Sequence, residues 1–526
     1  MNIQNPILSG FNPDPSVCRV GNDYYIACST FEWFPGVQIH HSRDLANWEL
    51  IGRPLNRTSQ LNMLGNPDSA GIWAPDLSYA DGKFWLLYTD TKMWHPGPYK
   101  ITPNYLVTAD DIRGPWSDPV FLNSSGFDPS LFHAEDGRKW LLNMRWDHRK
   151  GKHPFRDIVL QEYSVAEGKL IGDAVPVFTG SSIAKTEGPH LYMRNGWYYL
   201  LTAEGGTSYE HAATIARSRN LEGPYEIHPA NPLITSDGND ALSLQKSGHA
   251  SLVDTTEGEW FAVHLCGRPL SNRRCILGRE TAIQKIEWKT DDWPYLAQGG
   301  NFPSDTCPLP SGVIPGPRPS GSRRVDFAPG AMDLHFQSLR RPIDASWVST
   351  DVRPGWLRLY GQEPTVSLFR QSLLARRVQA FHTVTTICME YQPRHYQHMA
   401  GLIAYYDRLL HYYLRVTYDE ADGGRTLGII KADLDIHEDM PEYETKIPGE
   451  GSVFLQVDIN RESLLFRYSL DGATWVDIGP VLDASILSDD YGTLGFTGAF
   501  VGMACQDISG MNHPADFRFF DYQEKD

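Results

Sequence analysis

Along this chain, apolar and polar positions alternate in short runs, and the runs come in pairs. The clearest pair starts at Thr186-Glu187-Gly188-Pro189-His190-Leu191-Tyr192-Met193-Arg194, turns at Asn195-Gly196 and returns through Trp197-Tyr198-Tyr199-Leu200-Leu201. Alternation on both sides of Asn-Gly predicts two antiparallel strands joined by a tight turn. The same figure recurs at Asp14-Pro15-Ser16-Val17, Trp73-Ala74-Pro75-Asp76-Leu77, Asp128-Pro129-Ser130-Leu131-Phe132 and His249-Ala250-Ser251-Leu252, each followed by a second aromatic or aliphatic run. Successive starts lie roughly 50 to 60 residues apart, close to the length of a propeller blade.

A second pattern falls between the hairpins: Ser42-Arg43-Asp44-Leu45-Ala46-Asn47-Trp48, Asp110-Asp111-Ile112-Arg113-Gly114-Pro115-Trp116 and Ser218-Arg219-Asn220-Leu221-Glu222-Gly223-Pro224-Tyr225. Each reads as the turn between the two outer strands of a blade. Four strands in each of five units predict an all-β chain opening with a five-bladed β-propeller over residues 1–302. In that geometry the first residues of the inner strands converge, so Asp14, Trp73 or Ala74, Asp128, Glu187 and His249 surround one pocket. A β-helix or a pair of sandwiches is the competing assignment, but neither brings five hairpin starts together.

Residues 303–324 are rich in Pro, Gly and Ser and read as a semi-rigid linker. Beyond it, over 325–526, Thr383-Val384-Thr385-Thr386-Ile387-Cys388-Met389-Glu390-Tyr391, Tyr413-Leu414-Arg415-Val416-Thr417-Tyr418 and Leu464-Leu465-Phe466-Arg467-Tyr468-Ser469 alternate as antiparallel strands. They predict a β-sandwich, and Asp471-Gly472 predicts a tight turn within it.

Composition sharpens this picture. Aromatics make up 12% of the 526 residues, and 46 Gly with 36 Pro suit strands and turns rather than helices. Flat rings also suit stacking on sugar faces. A net charge of -17 argues against a polyanionic partner, so nucleic acid is not expected. The seven cysteines are scattered without CxxC spacing, as in a reducing cytosol. No signal peptide is visible and no apolar run is long enough to span a membrane, so a cytoplasmic location is expected.

Three carboxyls at equivalent blade positions point to acetal hydrolysis, which needs one acid to protonate the leaving oxygen and one ionised partner. Asp14 and Glu187 form the pair, with Asp128 close enough to raise Glu187 by like-charge repulsion. Asp14 and Asp128, each beside proline, also suit ordinary turns, whereas Glu is not a favoured turn former. His249 reads either as a hydrogen-bonded channel residue or as a metal or water ligand. Lone aromatics such as Phe31, Trp73 and Trp146 are more often core than platform. A sugar-binding propeller without turnover is the alternative from another functional class.

Asn12-Pro13-Asp14-Pro15-Ser16, Trp73-Ala74-Pro75-Asp76, Gly126-Phe127-Asp128-Pro129-Ser130, Thr186-Glu187-Gly188-Pro189-His190 and Gly278-Arg279-Glu280-Thr281-Ala282, taken in order, resemble the family 43 glycoside hydrolases. The likeness is strongest to the two-domain β-xylosidases of that family and extends to Gly498-Ala499-Phe500-Val501-Gly502-Met503. It implies a concanavalin-like sandwich after the propeller and an exo-acting, inverting hydrolase releasing xylose from xylo-oligosaccharides, or an α-L-arabinofuranosidase. Asp14 is then the general base, Glu187 the general acid and Asp128 the residue that tunes and orients the acid. Phe31, Trp73, Ala74, Trp146, Thr207, His249 and Arg279 are expected to line the pocket, with Phe500 closing its wall from a sandwich loop. The resemblance further implies a dimer or tetramer and no obligatory cofactor, while leaving room for a divalent cation, Ca2+, near His249. The segment from Cys266 to Leu277 is short for the family, which bears on how the loop before Arg279 is held.

Overall fold

A computed structural model describes residues 2–525 apart from positions 96, 422, 493 and 511. Five four-stranded antiparallel sheets follow one another in the first part of the chain. Their inner hairpins are Ser16–Val20 with Asp23–Cys28, Gly71–Ala80 with Lys83–Thr91, Gly126–His133 with Lys139–Trp146, Glu187–Arg194 with Trp197–Glu204, and Gln245–Asp254 with Trp260–Gly267. The fourth of these sheets carries one further short strand, Ile234–Thr235, beside Ala212–Ser218. Asn195 and Gly196 both have positive φ, 51° and 72°, as the two-residue turn requires. The three repeated segments join third and fourth strands, for example Asn104–Ala109 to Val120–Asn123. The ring closes where the N-terminal segment lies along Arg279–Trp288: Ile7 N–H donates to Thr281 O at 2.8 Å and Asn12 N–H to Arg279 O at 2.9 Å.

Four of the five inner hairpins share one irregularity. Pairing slips between Trp73 and Asp76, Phe127 and Ser130, Glu187 and His190, and Gly248 and Ala250. Such bulges re-aim side chains at the rim of a sheet. Asp14, Asp128, Gly188 and His249 occupy the left-handed region at this phase, with φ of 54°, 56°, 56° and 38°. Below them a buried polar belt joins the blades. Asp76 Oδ1 accepts from Ser16 Oγ at 3.1 Å and lies 3.3 Å from His190 Nδ1, and its Oδ2 accepts from Leu131 N–H at 2.9 Å. On the other side Ser251 Oγ accepts from Val17 N–H at 3.2 Å.

The second part of the chain is a sandwich of two large antiparallel sheets. Their facing sides bury one apolar core, including Leu357, Ile387, Val457 and Phe517 against Leu374, Leu402, Leu414 and Met503. One sheet is completed by the first domain: Trp33–Phe34 pairs with Gln337–Leu339 at its edge. The linker is also engaged, since Thr306–Pro308 pairs with Asn2–Gln4. Asp471 does not make a two-residue turn. The connection spans residues 470–475, with Asp471 Oδ1 accepting from Ala473 and Thr474 N–H at 2.8 and 2.7 Å, because an Asp side chain can cap its own loop.

Candidate active site

The starts of the inner strands bring the carboxyls together in different environments. Asp14 and Asp128 are buried, whereas Glu187 is half-buried. Glu187 is not at the same phase as the two aspartates. Gly188 holds that place, and Glu187 precedes it by one residue and is the more exposed of the three carboxyls. Gly188 serves two contacts: its N–H donates to Asp128 Oδ2 at 3.0 Å, and a Cβ there would lie 2.9–3.1 Å from the His249 ring atoms. The segment before Glu187 is tied by buried Glu204, which accepts from Ser181 N–H at 2.7 Å and Thr186 Oγ1 at 2.8 Å.

Asp14 is held ionised. Arg279 Nη1 donates to its Oδ1 at 3.0 Å and Ser29 Oγ to its Oδ2 at 2.6 Å, with His249 Nδ1 4.0 Å away. Burial alone would raise its pKa, but Arg279, His249 and Ser29 outweigh burial and hold it below the ordinary carboxylate value. Glu187 goes the other way, up to about 8, first through burial and then through the charge of Asp14. Asp128 and Glu187 repel each other as like charges, and the shift belongs to the two together. Asp128 is itself raised, by burial and then by Glu187 and Asp14. Glu187 and Asp128 therefore titrate as a pair that shares protons.

Arg279, first residue of Arg279–Trp288, also donates from Nη1 to Thr207 Oγ1 at 2.9 Å and from Nη2 to Phe496 O at 3.0 Å. The short segment before it packs on the second domain: Asn272 Nδ2 donates to Ser485 Oγ at 3.0 Å and Cys275 N–H to Asp490 Oδ2 at 2.9 Å. Phe31, Trp73 and Trp146 all face the same space. The Phe31 ring centroid lies 6.4 Å from that of Trp73, and Trp73 and Trp146 flank Phe127 at 5.0 and 6.4 Å. Ala74 sits at the bulge beside Trp73.

Phe500 does not close the wall. It opens the strand Phe500–Asp507, is fully buried, and stacks on Trp33 with centroids 3.7 Å apart. Phe496, four residues earlier in the loop, takes that place. Its ring lies 5.7 Å from Phe31, 5.8 Å from Trp73 and 5.3 Å from Trp94. The physical reason is alternation: once Phe500 joins a strand between the two domains it is committed to the core. An aromatic between Gly495 and Gly498 was a readable signal for Phe496.

Lys100 and His211 also escaped the sequence reading. Lys100 Nζ sits 4.2 Å from the Trp146 ring centroid and 5.3 Å from that of Trp73, and burial lowers its pKa to about 8 despite Glu187 and Asp128 nearby. It lies in a loop without periodicity. Buried His211 packs its ring against Gly248 and donates from Nδ1 to Lys246 O at 3.2 Å. Burial lowers His249 to about 4 and His211 to about 3, so both are neutral at physiological pH.

The surroundings of His249 do not fit a protein cage for calcium, which takes six to eight oxygens. Asp14 is already engaged by Arg279 and Ser29, His211 is another nitrogen donor, and Arg279 is a competing cation. Among the described residues no group of three or more His, Cys, Asp or Glu is arranged to hold a metal ion. A cleft of about 1240 Å3 between propeller, linker and sandwich reaches Asn12 and His40 but none of the three carboxyls. The opposed carboxyls, not this cleft, mark the chemistry.

Comparison with known proteins agrees with this geometry. Residues 3–294 match the family model described as glycosyl hydrolases family 43, and residues 324–523 match the β-xylosidase C-terminal concanavalin A-like domain. The chain is 50% identical over 539 residues to a β-xylosidase of Bacillus subtilis (strain 168), covering 100% of both. It is 51% identical over 531 residues to xylosidase/arabinosidase 43B of Humicola insolens, covering 99% of this chain and 97% of that one. The crystal structure of xylan β-1,4-xylosidase from Bacillus halodurans C-125 superimposes with a TM-score of 0.97 at 54% identity, over 99% of this chain and 100% of that one. With both of its domains matched in order and the propeller carrying the opposed carboxyls, the chain belongs to glycosyl hydrolases family 43.

Proposed function

We propose that this enzyme removes single xylose units from the non-reducing end of short β-1,4-xylo-oligosaccharides, with inversion at the anomeric carbon. The observation that carries this reading is the opposed protonation of two carboxyls: Asp14 held ionised, Glu187 held protonated. Glu187 gives its proton to the glycosidic oxygen as the C1–O bond breaks. Asp14 takes a proton from the water that adds to C1 from the opposite face. The products are a shortened oligosaccharide and α-xylose, and the proton gained by Asp14 is released to solvent while Glu187 takes one back, which restores the pair. Asp128 accepts from Gly188 N–H and thereby fixes the turn that aims Glu187. Phe31, Trp73, Trp146 and Phe496 offer apolar faces to the sugar, while Arg279, Thr207 and His249 offer polar contacts.

A pocket walled by Phe496 from the second domain supports exo action, because a chain end enters and a continuing chain does not. With reducing-end-labelled xylotriose, the first labelled product is xylobiose. Labelled xylose appearing first would overturn exo action from the non-reducing end. A second activity, on α-L-arabinofuranosides, is favoured by the relative named xylosidase/arabinosidase. Comparing kcat/KM on aryl β-xylopyranoside and aryl α-arabinofuranoside ranks the two, and preference for the latter reverses the assignment.

The reading also includes a cytosolic homo-oligomer, dimer or tetramer. All seven cysteines are free thiols, which supports a reducing compartment. No helix among the described residues is long and apolar enough to cross a membrane. Light scattering of the purified protein tests the assembly.

A further inference from the structure

Four aromatic rings that wall the pocket, those of Phe31, Trp73, Trp94 and Phe496, come from separate segments in two domains. Ring contacts tolerate a broad range of orientations, so they do not by themselves fix how deep each ring sits. Hydrogen bonds do, and those bonds converge on residues 68–72.

Ser69 is the centre of them. Its carbonyl accepts from Trp73 Nε1 at 2.9 Å, and its hydroxyl oxygen accepts from the backbone N–H of Phe496 at 3.0 Å. Its own N–H donates to Glu32 Oε2 at 3.1 Å. The neighbouring Asp68 carbonyl accepts from Trp94 Nε1 at 3.0 Å, and Ile72 exchanges backbone bonds with Phe31 at 2.9 and 3.0 Å. Ser69 is buried with φ of 59°, a conformation that a serine keeps only when its surroundings over-determine it.

Those surroundings come from the second domain. Arg340, wholly buried, donates from Nη2 to Asp68 Oδ1 at 2.6 Å, from Nε to Asn66 O at 2.7 Å and from its backbone N–H to Glu32 O at 2.9 Å. Arg408 Nε lies 2.9 Å from Asp68 Oδ2. Two sandwich arginines thus grip the residue next to Ser69.

We propose that Ser69 is a positioning residue for the sugar pocket: its hydroxyl sets the place of Phe496 against Phe31 and Trp73, and the Asp68–Arg340 ion pair holds it across the domain boundary. The inference rests on the glycosidase reading above. Ser69 makes no hydrogen bond to Asp14, Asp128, Glu187 or Arg279 among the described residues, and the Arg279 bond to Phe496 O remains without its hydroxyl, so its loss acts on a wall that binds ground state and transition state alike. Such a loss raises KM and spares kcat.

The test is a cycle of Ser69→Ala and Phe496→Ala, read with p-nitrophenyl β-D-xylopyranoside. Ser69→Ala raises KM about three- to tenfold with kcat within about twofold, the range expected for one neutral hydrogen bond. Added to Phe496→Ala, it changes kcat/KM by less than about twofold, because the ring it positions is gone. Ser69→Gly, which suits the left-handed φ, gives the same KM effect if the alanine variant does not fold. A wild type that cleaves the xyloside while both variants keep its KM would overturn the inference alone. So would a Ser69 effect that persists in full beside Phe496→Ala. A wild type inactive on both aryl glycosides would instead remove the functional reading, and the inference with it.

Discussion

Replacing Arg279 by methionine keeps much of the side-chain volume and removes the charge that keeps Asp14 ionised. Arg279 heads the influences that lower Asp14, against burial, the larger opposing one. The remaining partners do not replace it. His249 and His211 lose their charge above about pH 4 and 3, and Ser29 offers one neutral hydrogen bond. A neighbouring opposite charge shifts a carboxyl by about one to three pH units, so the acid limb of kcat/KM moves up by that order. On the plateau, losing charged hydrogen bonds costs about 1.5–3 kcal/mol, or roughly 10- to 150-fold in kcat/KM. The stability sign follows. In the wild type Asp14 has a lowered pKa and contributes stability above the ordinary carboxylate value, lost as pH falls through the folded one. In the variant burial wins, the folded pKa is raised, and the contribution is lost as pH rises through it. The Tm deficit of Arg279→Met therefore widens from pH 4 to pH 7. The assay is a pH–rate profile on p-nitrophenyl β-D-xylopyranoside with thermal melts at both pH values. An acid limb that stays in place would refute the assignment of Arg279 as the group that keeps the base ionised.

Glu187→Gln lowers kcat/KM on xylobiose by about 10²–10⁴-fold while sparing an aryl xyloside with a good leaving group, because only the poor leaving group needs the proton. Equal losses on both substrates would contradict the acid role. Lys100→Met removes a cation that lowers Glu187, so the alkaline limb, near pH 8 in the wild type, moves upward; a downward move would contradict the electrostatic account. Dialysis against EDTA leaves kcat/KM unchanged, in line with the poor donor set around His249, and recovery of lost activity on adding Ca2+ would contradict it.

The propeller was legible because its signal is repeated: five hairpin starts, with turn residues at fixed offsets, survive an error of a residue or two. That same error hid the phase difference between Glu187 and the aspartates. A bulge changes the count of residues on one strand, and alternation alone does not reveal where it falls. Recurrence of Asp-Pro, Ala-Pro, Asp-Pro and Gly-Pro at 14–15, 74–75, 128–129 and 188–189 does place Gly188, not Glu187, in register with Asp14. Phe500 was misplaced because the motif that contains it is a strand start. Whether such an aromatic faces a pocket or a domain boundary depends on Trp33, more than 450 residues away in the chain. Lys100 and Ser69 lie in irregular loops, where position is set by partners from other segments.

The most direct test of the central claim is the anomeric configuration of the first sugar released. Proton NMR recorded during rapid hydrolysis of an aryl β-xyloside, before mutarotation, is predicted to show α-xylose appearing first and the β-anomer growing in later. An initial β-anomer would mean that water arrives on the face the leaving group vacates, and that Asp14 is not a base acting on it from the opposite side.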